Sequence, residues 1–369
     1  MSKDLIKQVE KQRHHVIVDS FTVTWNELLN QYKNKDVAIN PSYQRAFRWS
    51  LEQQTKYVES LLLNIPTPPI FLSENSNGTF EVIDGLQRFS TIIKFFSAEI
   101  FEKDKRVDAK QKDNPNDITL PTILTEAPIL TGLANSSRES FPETLLRTLR
   151  YSRVQLILLK KESSSLAKFT VFTRLNRAGT ALSNQEIRNC SARLFETSFP
   201  DLLNDLADSE KITKSLKLSR EEKDSMGVQE VLLRLIAFVT REPKTQRIEE
   251  FLDEVMYEAA QGKIPSQNKI ISKIQDTFDV IYSAFPEGQT FRFYKTNKFS
   301  GSFSPNLYDI IACGIYFNLT KCKKRTPEEM RELIRTLHGE QEAIALTGAG
   351  SNAKSKMLGR VNFGKKWFA

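Results

Sequence analysis

The sequence predicts an α+β fold, a small mixed sheet with helices followed by a mainly helical domain. Three observations predict it. Strand and helix signals alternate through the first hundred residues. A six-residue segment, Val154 to Leu159, apolar at every position but Gln155, reads as a buried strand of that sheet. From about residue 197 onward nearly every segment has the 3.6-residue apolar period of amphipathic helices. At roughly 150 residues per domain, 369 residues suggest two, expected at 1–195 and 196–369.

Taken in order, residues 16–23, with Val16, Ile17, Val18, Thr22 and Val23 β-branched, read as a strand. Thr24 and Glu27 then form a capping box that opens a helix through Trp25, Leu28 and Leu29. Ser50 and Gln53 form a second box, and the helix after it places Leu51, Val58, Leu61, Leu62 and Ile65 on one face before Pro66 stops it. Residues 69–72 and 80–83 read as two strands joined by the turn Asn75-Ser76-Asn77-Gly78. The second strand runs into Asp84-Gly85, and Phe89, Ile92, Ile93 and Phe96 follow at helical spacing.

Near 101–150 charges of both signs alternate and Pro115, Pro121 and Pro128 interrupt, so an irregular insertion, mobile at least in part, is expected. After the strand at 154–159 a helix through Leu166, Phe169, Val171 and Phe172 is expected to break at Asn176–Gly179. Ser183 and Glu186 then open another through a third capping box. In the second half the helices expected are 228–239, 248–259, 270–285, 307–317 and 328–337. Thr326-Pro327-Glu328-Glu329 combines N-cap, proline at N1 and glutamate at N3.

Composition excludes several functions. Apolar residues at 40% allow a sizeable core, and 27% charged residues with 14 Gly and 14 Pro argue against a disordered or fibrous chain. No apolar run is long enough to span a membrane. Met1-Ser2-Lys3-Asp4 leads into mixed charge rather than a secretory signal, so a cytoplasmic location is expected. Cys190, Cys313 and Cys322 share no metal-ligand spacing, and the histidines, the adjacent pair His14-His15 and a lone His338, give no cluster for zinc or His-metal nuclease chemistry.

Three constellations carry possible chemistry. In the first, a Pro turn presents Tyr43, Gln44 and Arg45, with Arg48-Trp49 after it. The arginine fork suits phosphate, although a plain surface turn explains the same residues. In the second, strand, Gly85 and helix start bring backbone N–H groups and the positive helix end together, the usual way of holding phosphate. Arg88 adds charge there, Gln87 can orient a water or a phosphate oxygen, and Asp84 can hold a ribose hydroxyl, a water or Mg²⁺. An ordinary strand–helix corner with Asp84 as N-cap is the bland alternative. The third is Arg174, Asn176 and Arg177, able to converge on a charged ligand or to form a solvated helix end.

The net charge is +8, with eleven Lys/Arg against five Asp/Glu from Lys321 onward. Lys354, Lys356, Arg360, Lys365 and Lys366 follow the last acid and are candidates for DNA backbone contact. Val361, Phe363, Trp367 and Phe368 among them suggest that this end is pinned to the helical domain. Residues 348–355 approach a Walker A loop but carry Ala353 where glycine is required, and 291–295 interleave aromatic and basic residues as single-strand binders do.

The three constellations, in this order, resemble the N-terminal domain family of GmrSD-type restriction endonucleases. Pro41-Ser42-Tyr43-Gln44-Arg45 with Trp49 fits that family's first motif, and Asp84-Gly85-Leu86-Gln87-Arg88 fits its Asp-Gly-Gln-Gln-Arg motif. Residues 172–186 fit Phe-x-x-Leu-Asn-x-x-Gly-x-x-Leu-Ser-x-x-Glu, through Phe172, Leu175, Asn176, Gly179, Leu182, Ser183 and Glu186. The resemblance covers about residues 15–195 and implies a ParB/sulfiredoxin-like fold. It further implies a nucleoside triphosphate, with Mg²⁺ as an accompanying ion, bound near the Asp84–Arg88 turn and hydrolysed in defence against foreign or modified DNA, antiviral defence included. Tyr43, Gln44, Arg45, Gly85, Arg88, Arg174 and Asn176 then bind the nucleotide, Asp84, Gln87 and Arg88 act in catalysis, and Asp84 holds metal. Leu86 departs from the motif's first glutamine, and no C-terminal His-Asn-His nuclease accompanies the domain. Two readings follow: an NTP-hydrolysing component with a separate nuclease partner, or a non-hydrolysing DNA-binding or regulatory module of the same fold.

Overall fold

The computed structural model describes residues 4–6, 9–10, 16–39, 47–101, 117–179, 183–193, 198–245, 247–264, 267–348 and 354–369. The chain divides into two compact units, residues 1–179 and 180–369. Together they make an α+β protein whose strands lie mostly in the first unit.

In the first unit β1 (Val18–Thr24) enters α1 (Trp25–Lys33), and Thr24 Oγ1 caps that helix by accepting from Glu27 N–H. β2 (Val37–Ala38) precedes α2 (Leu51–Leu62), which starts at the reciprocal Ser50–Gln53 capping box. β3 (Ile70–Glu74) and β4 (Phe80–Asp84) form a hairpin whose turn ends at Gly78, with φ +82°. α3 (Leu86–Phe95) follows at once. After α4 (Glu143–Tyr151) come β5 (Arg153–Leu159) and α5 (Ser165–Gly179).

The sheet order is β1-β5-β3-β4-β2. β5 is antiparallel to β1 and parallel to β3, β3 is antiparallel to β4, and β4 is parallel to β2. The strand at 153–159 is thus an internal strand beside those at 70–84, and its alternate residues Val154, Leu156 and Leu158 are buried. Trp25, Phe47, Val58, Leu72, Val82, Phe89, Ile93 and Phe172 complete this core.

Two details differ from the sequence reading. α5 runs unbroken to Gly179, so Asn176 lies within a helix and not at its end. The expected insertion is also more ordered than its composition suggests. Residues 102–116 lie outside the described ones, but 117–142 are described, with Thr122 to Leu130 bonded to α2, and 143–151 form the regular helix α4. The polar side of α2 explains the attachment: Thr55 Oγ1 accepts from Thr125 N–H at 2.9 Å, and Glu59 Oε1 accepts from the N–H groups of Ile129 and Leu130 at 2.8 and 2.6 Å. Irregular backbone is stable once its own polar groups are paired in this way.

The second unit is helical around α10 (Pro305–Phe317), buried along nearly all its length. Packed into the same core are α6 (Asn184–Arg193), α7 (Gly227–Thr240), α8 (Ile248–Ala260), α9 (Gln267–Ala284), α11 (Pro327–Leu337) and α12 (Lys354–Trp367). α6 opens at the Ser183–Glu186 capping box and packs with this unit, so the division falls at Gly179, ahead of the expected 195. Residues 293–300 are a small hairpin, β6 (Phe293–Lys295) and β7 (Lys298–Ser300), and Phe291 just before it is buried against Phe303 and Tyr308. α12 crosses α10 at glycine: a Cβ on Gly364 would stand 2.1 Å from Ile310 O.

Candidate functional site

The second constellation is the best defined. β4 ends at Asp84, Gly85 takes φ +92° as N-cap, and α3 begins at Leu86 with no side chain capping it. The first N–H groups of a helix have no partner inside it, and Gly85 has no side chain with which to cap them. Glycine is required twice over. The φ lies in the left-handed region, and a Cβ would meet Ile70 Cγ1 at 2.9 Å and Arg88 Nη2 at 3.0 Å. Asp84 is not the N-cap that the plain-corner reading assigns to it. Its Oδ2 accepts instead from Arg88 Nη2 at 3.2 Å, and that same nitrogen donates to Pro69 O at 3.1 Å. The pair is partly buried, and Arg88 Nε is buried without a hydrogen-bond partner.

Gln87 joins the second constellation to the first. Its Oε1 accepts from the N–H groups of Arg48 and Trp49, at 3.0 and 3.1 Å. The carbonyl side of the amide is therefore engaged with backbone and ties the end of the first constellation to the helix start. Gln54 completes the clamp, donating from Nε2 to Trp49 O at 2.8 Å while wholly buried. Sequence reasoning missed Gln54, although a signal existed: it is the polar member of the stripe Gln54, Val58, Leu61 on the apolar face of α2. Tyr57, also missed, packs edge-on to Trp49 with ring centroids 5.7 Å apart. Burial pushes its hydroxyl up to about 12, against smaller downward pulls from the Thr67 hydroxyl and the Arg88 charge.

Tyr43, Gln44 and Arg45 lie outside the described residues, as do 349–353 of the Walker-like stretch. α5, the helix of the third constellation, packs against β4. Its Phe169 and Phe172 are buried and Arg174 is exposed. The side chains of Asn176 and Arg177 lie outside the described ones.

In the second unit the basic end needs a correction. Arg360 is fully buried: its Nε donates to Asp309 Oδ2 at 2.9 Å and its Nη1 to Leu346 O at 3.3 Å. Asp309, also fully buried, accepts from Arg234 Nη2 at 2.7 Å. A guanidinium enclosed in this way is a core element and not a DNA contact. Lys365 Nζ sits 4.0 Å from the centroid of the Phe317 ring, Lys354 and Lys356 are half-exposed, and Lys366 is exposed. Phe368, Val361 and Phe363 are buried and Trp367 Nε1 donates to Leu333 O, so these side chains do pin the end down. The aromatic-basic stretch at 291–295 is partly absorbed by packing: Tyr294 lies tilted against Phe299, ring centroids 4.8 Å apart, and beside His338, while Phe293 stays partly exposed.

Among the described residues no group of three or more His, Cys, Asp or Glu could hold a metal ion, and no helix is long and apolar enough to cross a membrane. Asp84 offers a single carboxylate. That is compatible with Mg²⁺ only where phosphate oxygens and water supply most of the ligands.

Residues 25–193 match the family model described as the GmrSD restriction endonuclease, N-terminal domain. No curated protein matches the sequence. The match spans β2 to β5, the Asp84–Arg88 turn and α6.

Proposed function

We propose, on the premise that residues 25–193 are a GmrSD-type N-terminal domain, that this chain is a nucleotide-binding, NTP-hydrolysing component of a restriction system acting on foreign or modified DNA. The observation that carries the nucleotide reading is the start of α3. An uncapped helix end, a glycine with no room for a Cβ, and an arginine held in place with its Nε unpaired meet at one turn. Leu86 does not remove this capacity, because the donors at issue are backbone N–H groups and Leu86 keeps its own.

In this reading Asp84 and Pro69 O hold the guanidinium of Arg88 against the β- and γ-phosphates, where its charge offsets that developing on the transferred phosphoryl group. Tyr43, Gln44, Arg45, Arg174 and Asn176 are the further phosphate-binding candidates. Mg²⁺, when bound, would neutralise phosphate charge, and Asp84 is the residue that would hold it. DNA is the proposed macromolecular partner, with Lys354, Lys356 and Lys366 as the candidates that remain after Arg360 is withdrawn, and DNA cutting is assigned to a separate nuclease.

A second reading, binding without hydrolysis, is favoured by one specific observation. The Gln87 carbonyl oxygen is taken by the N–H groups of Arg48 and Trp49, and Leu86 replaces the other amide of the motif. The experiment that separates the two is phosphate release from labelled nucleoside triphosphates alongside equilibrium binding, with Arg88→Ala as control. Release that the control loses supports hydrolysis. Binding that the control loses, without release, selects the second reading. Identical binding by both proteins sinks the phosphate site.

A further inference from the structure

Trp49 is held more firmly than its exposure requires. Phe47, two residues earlier, and Trp25, which shares the Tyr57 contact, are fully buried, whereas Trp49 is half-exposed. Its backbone is fixed on both sides: the N–H is bonded to Gln87 Oε1 at 3.1 Å and the carbonyl to Gln54 Nε2 at 2.8 Å. Two glutamines from two helices are spent on one residue.

Helix packing does not account for this. Trp49 precedes the N-cap Ser50, the position from which an apolar side chain ordinarily packs on the fourth helical residue. Here that residue is Gln54, whose amide bonds the Trp49 backbone. The indole instead rests edge-on against Tyr57 at an interplanar angle of 64°. Tyr57, only 6% exposed, closes no hydrogen bond of good geometry through its hydroxyl and lies close enough to feel the Arg88 charge. The result is a half-exposed, pre-positioned aromatic ring, anchored through Gln87 to the first turn of α3.

We propose that Trp49 is the stacking platform for the base of the nucleotide whose phosphates the Asp84–Arg88 turn holds. This rests on the nucleotide reading above and adds to it the face that receives the base. Stacking on an indole tolerates any base, because each has a π-face, and the purines offer the larger one. Gln87 and Gln54 act as positioning residues. They fix the ring before the ligand arrives, so that little entropy is lost in ordering it.

The test is isothermal titration of the full chain with a purine nucleoside triphosphate and, separately, with inorganic tripolyphosphate, which has no base. Trp49→Phe keeps an aromatic face, Trp49→Leu keeps apolar volume without one, and thermal melting confirms that each variant is folded. The expected result is near-native nucleotide affinity for Trp49→Phe. For Trp49→Leu a loss of roughly 5- to 150-fold is expected, the range for one stacked base, with tripolyphosphate affinity unchanged. Unchanged nucleotide affinity in Trp49→Leu, or equal losses for nucleotide and tripolyphosphate, overturns the stacking role. If Trp49→Leu binds normally while Arg88→Ala does not, stacking alone falls. If the native chain binds neither ligand, the nucleotide reading falls and stacking with it.

Discussion

Arg88 and Arg360 each bond an aspartate, and the difference between them separates a candidate site from a structural core. Arg88 pairs with Asp84 one helical turn away, at 3.2 Å and partly exposed, beside a helix start that no side chain caps. Arg360 pairs with Asp309 from another helix, at 2.9 Å, with both side chains fully buried and Arg234 on the same carboxylate. A residue type and a charge count treat the two arginines alike. What distinguishes them is whether an outside ligand can reach the donors that remain. Burial and the neighbouring Arg234 charge pull Arg360 down, with Asp309 opposing, which again marks it as internally committed.

The largest effect that could break this comparison is in the core. Asp309→Ala leaves two buried guanidinium groups facing each other and should cost about 3–5 kcal/mol, enough to unfold the second unit or nearly so. Chemical denaturation measures it, and a loss under about 1 kcal/mol would show that Arg360 reaches water after all. Next is Gly85→Ala, which forces a side chain into φ +92° and onto Ile70. A cost of about 2–3 kcal/mol is expected, together with lost nucleotide binding; thermal melting and titration read the two separately.

A titratable group of the second unit sharpens the contrast further. Burial pushes His338, among Phe293, Tyr294 and Phe299, down to about 4. An unfolded imidazole titrates near 6.5, so the stability from keeping the ring neutral is complete above that pH and is lost as pH falls from there toward 4. Because the ring is partly exposed, the loss should be at most about 2 kcal/mol. Denaturation midpoints from pH 7 to pH 4 should show this acid limb, and His338→Phe should flatten it.

Gln87→Ala removes one acceptor from two N–H groups and should cost about 1–2 kcal/mol, with faster amide exchange at Arg48 and Trp49. Gln87→Glu keeps the acceptor and should leave that exchange slow; fast exchange in Gln87→Glu would mean that the clamp is not what holds these residues. The smallest effect concerns DNA. Lys366 is exposed, and if it meets a phosphate, Lys366→Glu should make the log–log salt dependence of binding shallower by about 1. A slope unmoved by this change would show that α12 serves the core alone.

Much of the molecule follows from local pattern. Thr24, Ser50, Ser183 and Thr326 each begin a helix as their capping spacing indicates, because an N-cap bonds N–H groups only three residues away. The hairpin at Gly78 and the strand–glycine–helix turn at Asp84–Gly85 are local in the same sense and were legible for that reason. Tertiary structure alone decided where long side chains end. Gln87 turns to the backbone of residues 48 and 49, Glu59 to the N–H groups of an irregular segment seventy residues on, and Arg360 to a carboxylate fifty-one residues earlier in the chain. Each of these bonds joins groups that no short-range spacing relates. A flexible polar side chain has several partners of similar strength within reach, and only the packing of the apolar faces around it determines which of them is there and whether water is excluded.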